Sequence, residues 1–272
     1  MSVTFVPGVD PVSIGSAVTE KTKLVWLEAC TNPTIQILDI STTVTRVKNS
    51  NPNTLILIDN TFLTPWIVRP LDMGVDVVMH SCTKYINGHS DVILGALLCN
   101  NKEVFSTLSD IQRYRGATPS PFDCYLVVRS LATLELRMEK HMMSAMRLAE
   151  FLQTCEGVKD VQHPLLESHP QHHIMMTQYQ ARHSGMIAFT LVSGAAATVF
   201  LGSLKIVRSA ASLGSTHSLA CQPARLTHVM CSQEERERAG VTQALVRLSV
   251  GLEDVEDLVM DVKQALQAIR HF

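Results

Sequence analysis

No two of the seven cysteines are spaced as a CxxC pair. Cys30, Cys82, Cys99, Cys124, Cys155, Cys221 and Cys231 are scattered and odd in number. That excludes a disulfide framework or a zinc ribbon and leaves reduced thiols of a cytoplasmic protein as the expectation. An excess of one charge is also missing: 23 basic and 25 acidic residues leave a net charge of -2. Nothing in that balance calls for nucleic acid or an anionic membrane as partner. There is no basic run interleaved with aromatics of the kind that grips single strands. No apolar run reaches the roughly 20 residues of a membrane span, and the stretch from Met1 to Pro11 lacks the basic and apolar regions of a signal peptide. His163, His169, His172, His173 and His183 show no HExxH or zinc-finger spacing, so no metal is expected and they read as a polar loop. Internal repeats and low-complexity linkers are absent as well.

What is there is a chain of 272 residues with 46% hydrophobic content, enough for one large domain or two modest ones. Strand patterns at Lys23–Ala29, Thr54–Asp59, Asp76–His80 and Val92–Cys99 alternate with helical patterns near Ile40–Lys48 and Lys102–Tyr114. That order predicts an α/β fold with a mixed or parallel sheet, whose chemistry belongs beyond the carboxyl ends of the strands. Pro119 and Pro121 precede a long helical pattern from Asp123 to about Thr154. After it, Lys159–Gln162, Met186–Val192, Ile206–Ala210 and Leu245–Val250 read as strands, and Ala195–Leu201 and Val255–Ile269 as helices. The expected division is a large domain over 1–130, a linking helix over 131–155 and a small α+β domain over 156–272. Glu253-Asp254-Val255-Glu256-Asp257 is placed to start the last helix, where negative charge suits the dipole.

Three side chains stand out chemically. Lys84 lies just past the strand Val75–Met79, among Ser81, Cys82, Thr83 and Asn87-Gly88. Most lysines are solvated, but a lysine among small, turn-forming neighbours can be desolvated and made a nucleophile toward an aldehyde. Asp59 ends the apolar run Leu55-Ile56-Leu57-Ile58, and a carboxylate there needs a cationic partner, such as a protonated pyridine nitrogen, or serves as a turn former. Arg247 interrupts the apolar strand Ala244–Val250. Facing inward, it needs a planar anion such as an α-carboxylate; on an edge strand it would face water. Asn32 precedes Pro33, which biases its backbone to an extended form. Cys82 reads as a buried small hydrophobe. Ser81 and Thr83 have the ordinary reading of tying down the turn after a strand.

Ser81-x-Thr83-Lys84-Tyr85-x-x-Gly88-His89-Ser90-Asp91, with Asp59-Asn60-Thr61 upstream, resembles the pyridoxal-phosphate-dependent transsulfuration enzymes. Thr31-Asn32-Pro33-Thr34 and Arg247-Leu248-Ser249-Val250-Gly251-Leu252-Glu253 fit the same pattern. Met138-Glu139-Lys140-His141, Ser168-His169-Pro170-Gln171-His172 and Pro119–Tyr125 extend it over nearly the whole chain. The resemblance implies fold type I, pyridoxal 5'-phosphate as cofactor, Lys84 as the residue that carries it, and Asp59, Ser81 and Thr83 as its further contacts. It implies Asn32, Ser212 and Arg247 as substrate contacts and a tetramer of identical subunits. The reaction implied is carbon–sulfur cleavage of cystathionine to cysteine, 2-oxobutanoate and ammonia, with hydrogen sulfide release from cysteine as a side activity.

The family's leading portion carries a glycine-containing phosphate loop, a tyrosine that stacks on the cofactor and a Tyr-x-Arg pair. This sequence has no counterpart of these, and it is expected to correspond to the carboxyl-terminal part of such an enzyme. Ser212-Leu213-Gly214 resembles the substrate loop, but Ala211 stands where the lyases commonly have Glu, and Ser215 where they have Gly. A synthase or a methionine lyase of the same family therefore stays open, as does a non-catalytic chain that associates with full-length subunits.

Overall fold

The computed structural model describes residues 2–271. The chain forms two compact units, one of Met1–Cys30 with Leu38–Leu134 and one of Thr31–Ile37 with Glu135–Phe272. Each end residue, Met1 and Phe272, lies outside the described residues.

The first unit starts with α1 (Pro11–Ser16), capped by the Asp10 carboxylate, and continues through β1 (Leu24–Glu28), α2 (Ile40–Ser50), β2 (Leu55–Asp59), the short α3 (Thr64–Ile67), β3 (Val77–Ser81) and β4 (Gly95–Leu98). The sheet order is β1-β2-β3-β4, with the first three parallel and β4 antiparallel. Parallel strands run as near-continuous apolar stretches because both faces are covered. In β2, Ile56 and Ile58 are fully buried, and Leu38, Ile40 and Val47 of the α2 region are buried too. Because β1, β2 and β3 run the same way, Glu28, Asp59 and Ser81 all lie at the carboxyl edge of the sheet. Two further helices, α4 (Lys102–Arg115) and α5 (Pro121–Leu131), complete this unit.

The second unit comprises α6 (Leu134–Gln153, its first residue counted with the other unit), β5 (Val158–Gln162), α7 (His172–Gln178), β6 (Met186–Leu191), α8 (Gly194–Ser203), β7 (Arg208–Ser209), β8 (Leu219–Cys221), α9 (Gln233–Arg238), β9 (Leu245–Ser249) and α10 (Val255–Gln267). Its sheet runs β5-β6-β9-β8-β7, antiparallel except for the β7–β8 pair. Ala145, Leu148, Phe189, Phe200, Val246, Leu258 and Val262 join one buried cluster drawn from α6, α8, α10 and the sheet. Phe189 and Phe200 meet edge to face at 5.6 Å, a preferred aromatic geometry. Asp254 caps α10, as its sequence suggested, by accepting from the Glu256 amide at 2.9 Å.

Three expectations are corrected. The helix expected from Asp123 to Thr154 is two helices, broken at Ala132–Thr133. The Thr133 amide and hydroxyl both donate to the Ser130 carbonyl, each at 3.2 Å, so a β-branched residue closes the first helix by local bonding. The strand expected over Val92–Cys99 shortens to Gly95–Leu98 because the Leu94 amide and carbonyl bond to Thr83 instead. The strand expected over Ile206–Ala210 keeps only Arg208–Ser209. Asp261 takes the amides of Lys205, Ile206 and Val207 at 2.8–2.9 Å and pins that stretch to α10. The histidine-rich loop is also more ordered than expected: it contains α7, and His163, His169 and His183 are buried.

Candidate functional site

Each unit carries its own set of chemistry-bearing side chains. In the first, Asp59 closes β2 and is half-buried. Its Oδ1 accepts from the Thr61 amide at 2.9 Å, and the Thr61 hydroxyl in turn accepts from the Ser81 amide at 2.8 Å. Thr61 thus ties the end of β2 to the end of β3. The backbone continues the lock, with Ala29 donating to the Asp59 carbonyl at 3.0 Å and Asn60 to the Met79 carbonyl at 2.9 Å. His80, 4% exposed, sits behind this edge. Burial lowers its pKa, with the Asp59 charge opposing.

Lys84 occupies a wound turn past β3. Its amide donates to the Ser81 carbonyl at 3.1 Å, and its own carbonyl accepts from Gly88 at 2.7 Å. The turn rests on Asn87, which is fully buried and reaches Asp91 at 2.6 Å. Beneath it Cys82 packs with Ile86, Val92 and Val127, and burial raises its thiol pKa. Cys82 is therefore a small core residue, as read from sequence. Lys84 itself is half-buried, so its amine leaves a rigid base with little backbone freedom. Thr83 is committed locally: its hydroxyl accepts from the Leu94 amide at 3.1 Å and donates to the Leu94 carbonyl at 3.4 Å.

This donor set fits part of pyridoxal phosphate. A half-buried lysine on a fixed turn suits an aldehyde, and a half-buried carboxylate at a strand end suits a protonated ring nitrogen. For the phosphate the two candidate hydroxyls differ, because the Thr83 oxygen already serves Leu94 whereas Ser81 is half-buried at the sheet edge.

In the second unit Arg247 lies on β9, the central strand, and is 3% exposed. The edge-strand reading does not apply to it. One guanidinium nitrogen donates to Asn32 Oδ1 at 2.8 Å and the other to the Ser212 carbonyl at 2.9 Å. Among the described residues, no carboxylate forms an ion pair with it. Ser212 meets Arg247 through its backbone carbonyl. Its φ of 105° lies in a region that non-glycine residues rarely enter, and such strain persists only where the surroundings impose it. Gly214 anchors the same loop by donating to Ser249 Oγ at 2.9 Å. Ala211 is exposed and Ser215 buried.

Two contributors escaped the sequence reading. Cys221 on β8 stands directly opposite Arg247 in the antiparallel register. Burial raises its thiol pKa, and the guanidinium opposes that rise. No motif announces it, since β8 spans only Leu219–Cys221. The second is Glu253, whose carboxylate accepts from both the amide and the hydroxyl of Ser218 at 2.8 Å, while Ser218 Oγ accepts from Gly251 at 2.8 Å. Its place in an acidic run concealed this role.

Comparison with known proteins gives one consistent result. The model of the family described as Cys/Met metabolism PLP-dependent enzyme matches residues 1–267. The chain is 45% identical to the cystathionine gamma-lyase of Dictyostelium discoideum over 92% of its own length and 64% of the relative's. It is 42% identical to the L-methionine gamma-lyase of Fusobacterium nucleatum subsp. polymorphum over 99% of its own length and 68% of the relative's. The crystal structure of cystathionine gamma-lyase from yeast superposes with a TM-score of 0.91 at 43% identity, covering 95% of this chain and 67% of that one. The chain thus spans about two thirds of the length of these relatives.

Proposed function

Because this chain belongs to the Cys/Met metabolism PLP-dependent enzyme family, we propose that it supplies the lysine-bearing and carboxylate-binding parts of a carbon–sulfur lyase acting on cystathionine. The products would be cysteine, 2-oxobutanoate and ammonia. The observation that supports this most is Arg247, a buried cation held by two neutral oxygens. A buried charge of this kind is costly without an anion, and a planar α-carboxylate matches its fork.

Pyridoxal phosphate, when bound, supplies an aldehyde carbon and a ring that spreads negative charge from the substrate α-carbon. Lys84 would hold that aldehyde carbon. The Lys84 amine, when free, would hold the proton taken from the substrate Cα and return it further along the side chain. Asp59 would accept from the ring nitrogen and keep it protonated. Ser81 would face the phosphate, Thr83 would join it by giving up its 3.4 Å bond to the Leu94 carbonyl, and Arg247 and Asn32, with the Ser212 loop, would orient the α-carboxylate. The domain reading of 1–130, 131–155 and 156–272, a homo-oligomeric assembly and a cytoplasmic setting belong to the same proposal. The unpaired state of all seven cysteines supports the setting.

Borohydride reduction with added cofactor, followed by peptide mapping, tests the assignment: the pyridoxyl mass is expected on Lys84, and its appearance on another lysine would reject the reading. With the Thr83 hydroxyl already bonded to Leu94, few of the described groups anchor a phosphate, and each charge-assisted bond is worth about 1.5–3 kcal/mol. Weak cofactor retention and little keto acid from cystathionine are therefore expected of these residues, and ready turnover without excess cofactor would contradict this. The exposed Ala211 in the substrate loop supports a second reading, a preference for methionine, which the same assay with methionine decides.

A further inference from the structure

The second unit holds an imidazole pair that the proposed chemistry does not use. His163 follows β5, and His183 precedes β6, so the pair closes the connection between these strands. Both are 0% exposed, with ring centroids 5.0 Å apart and planes at 85°. No ring nitrogen of the pair makes a well-formed hydrogen bond among the described residues, and the Met186 backbone is near enough to His183 only to act on it electrostatically; the buried Ser184 hydroxyl beside them has no partner there either. A charged imidazole sealed in this way would be far more costly than a neutral one.

His169 is the third member of the cluster, and it is 4% exposed. Its Nε2 donates to the Ile35 carbonyl at 3.1 Å, and its Nδ1 accepts from the Gln171 amide at 3.2 Å. Ile35 belongs to the Thr31–Ile37 segment of the same unit, which also presents Asn32 to Arg247. That segment is closed by Thr31, whose amide donates to the Gln36 carbonyl and whose hydroxyl accepts from the Gln36 amide, both at 2.9 Å.

We propose that His163 and His183 form an acid-sensitive latch on the Asn32 segment: proton uptake by the pair opens the β5–β6 connection, withdraws His169 from Ile35 and loosens Asn32 from Arg247. The latch itself is independent of the catalytic reading. Only its consequence for substrate binding rests on that reading.

The sign follows from burial. Desolvation, with His169 adding like charge, lowers the His163 pKa to about 3. Desolvation, with His163 and His169 adding like charge and the Met186 backbone opposing weakly, holds His183 well below 6.5. The other groups facing the cluster are His172 and Asp160, which act on His169 with opposite signs. The folded form is thus fully stabilised above the ordinary imidazole pKa of about 6.5 and loses that stability as pH falls below it. Each imidazole contributes about tenfold per pH unit. His141, lowered to about 4 mainly by burial, adds a background that is the same in every variant below.

The test is hydrogen exchange at the Thr31, Ile35 and Gln36 amides of the full chain, read as protection between pH 7 and 5. Protection should fall by about 100-fold per pH unit below pH 6 in the unaltered protein, beyond the His141 background. It should lose that extra dependence in His163→Phe/His183→Phe. Flat protection in the unaltered protein, or the same slope in the variant, overturns the proposal. Should the variant fail to fold, ring ¹⁵N shifts in the unaltered protein decide: both imidazoles are expected to be neutral at pH 6, and charged rings overturn the latch. Exchange reads no turnover, so its failure is distinct from failure of the Arg247 assignment, which is read by substrate affinity.

Discussion

The two units handle helices differently. In the second, α8 and α10 bury their apolar residues against the sheet: Ala196, Ala197 and Phe200 from one, Leu258, Val259, Val262 and Leu266 from the other. In the first, α4 has no buried residue at all, and Phe105, Ile111 and Tyr114 are 64%, 52% and 83% exposed. The following α5 leaves Phe122, Tyr125 and Val128 more than 60% exposed. Exposed apolar groups at this density mark contact surfaces. The arginine half is built as a closed domain with its guanidinium inside, whereas the lysine half is a sheet edge with polar groups fixed at strand ends and apolar helix faces left open. In the proposed function, the carboxylate would be read from inside a packed core, and the cofactor would be held on a half-buried turn past a strand end.

Four substitutions test this contrast. Lys84→Ala removes the amine proposed to attach the cofactor, so the borohydride-fixed pyridoxyl label should be lost, while urea unfolding stays close to that of the parent. A large shift in the unfolding midpoint would show that the turn is structural. Phe200→Ala empties the core of the second unit and should cost about 3–5 kcal/mol in denaturant unfolding. A cost below about 1 kcal/mol would deny that this domain is closed. At Gly251 an added Cβ would lie 2.5 Å from the Thr216 carbonyl oxygen and 2.6 Å from the His217 carbonyl carbon. Gly251→Ala should thus cost about 1–3 kcal/mol in denaturant unfolding by overpacking, and a cost near zero would show that the loop yields. Phe105→Ala on α4 should leave monomer stability within about 0.5 kcal/mol but reduce self-association in sedimentation. Unchanged association would show that the open helix face is not a contact surface.

The strands of both sheets were legible because apolar runs at Leu55–Asp59, Val77–Ser81, Met186–Leu191 and Leu245–Ser249 are strong local signals. Arg247 was legible for the opposite reason, as one cation in an apolar run. What stayed hidden depends on contacts distant in sequence. Asp261 shortens β7 from more than fifty residues away, and no local pattern foretells it. The burial of His163 and His183 needs two rings twenty positions apart to meet, so a polar loop was the natural local reading. The Ser212 carbonyl faces Arg247 from a loop whose positive φ serine does not advertise. The helix break at Thr133 rests on one hydroxyl and one amide choosing the same carbonyl.

In the proposed function, one unit attaches the cofactor and the other reads the carboxylate. Arg247→Lys separates the two most directly. Lysine keeps the charge but loses the fork that spans Asn32 and the Ser212 carbonyl, a loss of about 1.5–3 kcal/mol. Calorimetric affinity for cystathionine should therefore drop by about 10- to 150-fold, while borohydride still fixes the pyridoxyl group on Lys84 in the parent's yield. Unchanged affinity, or a label lost together with the affinity, would contradict the division of labour.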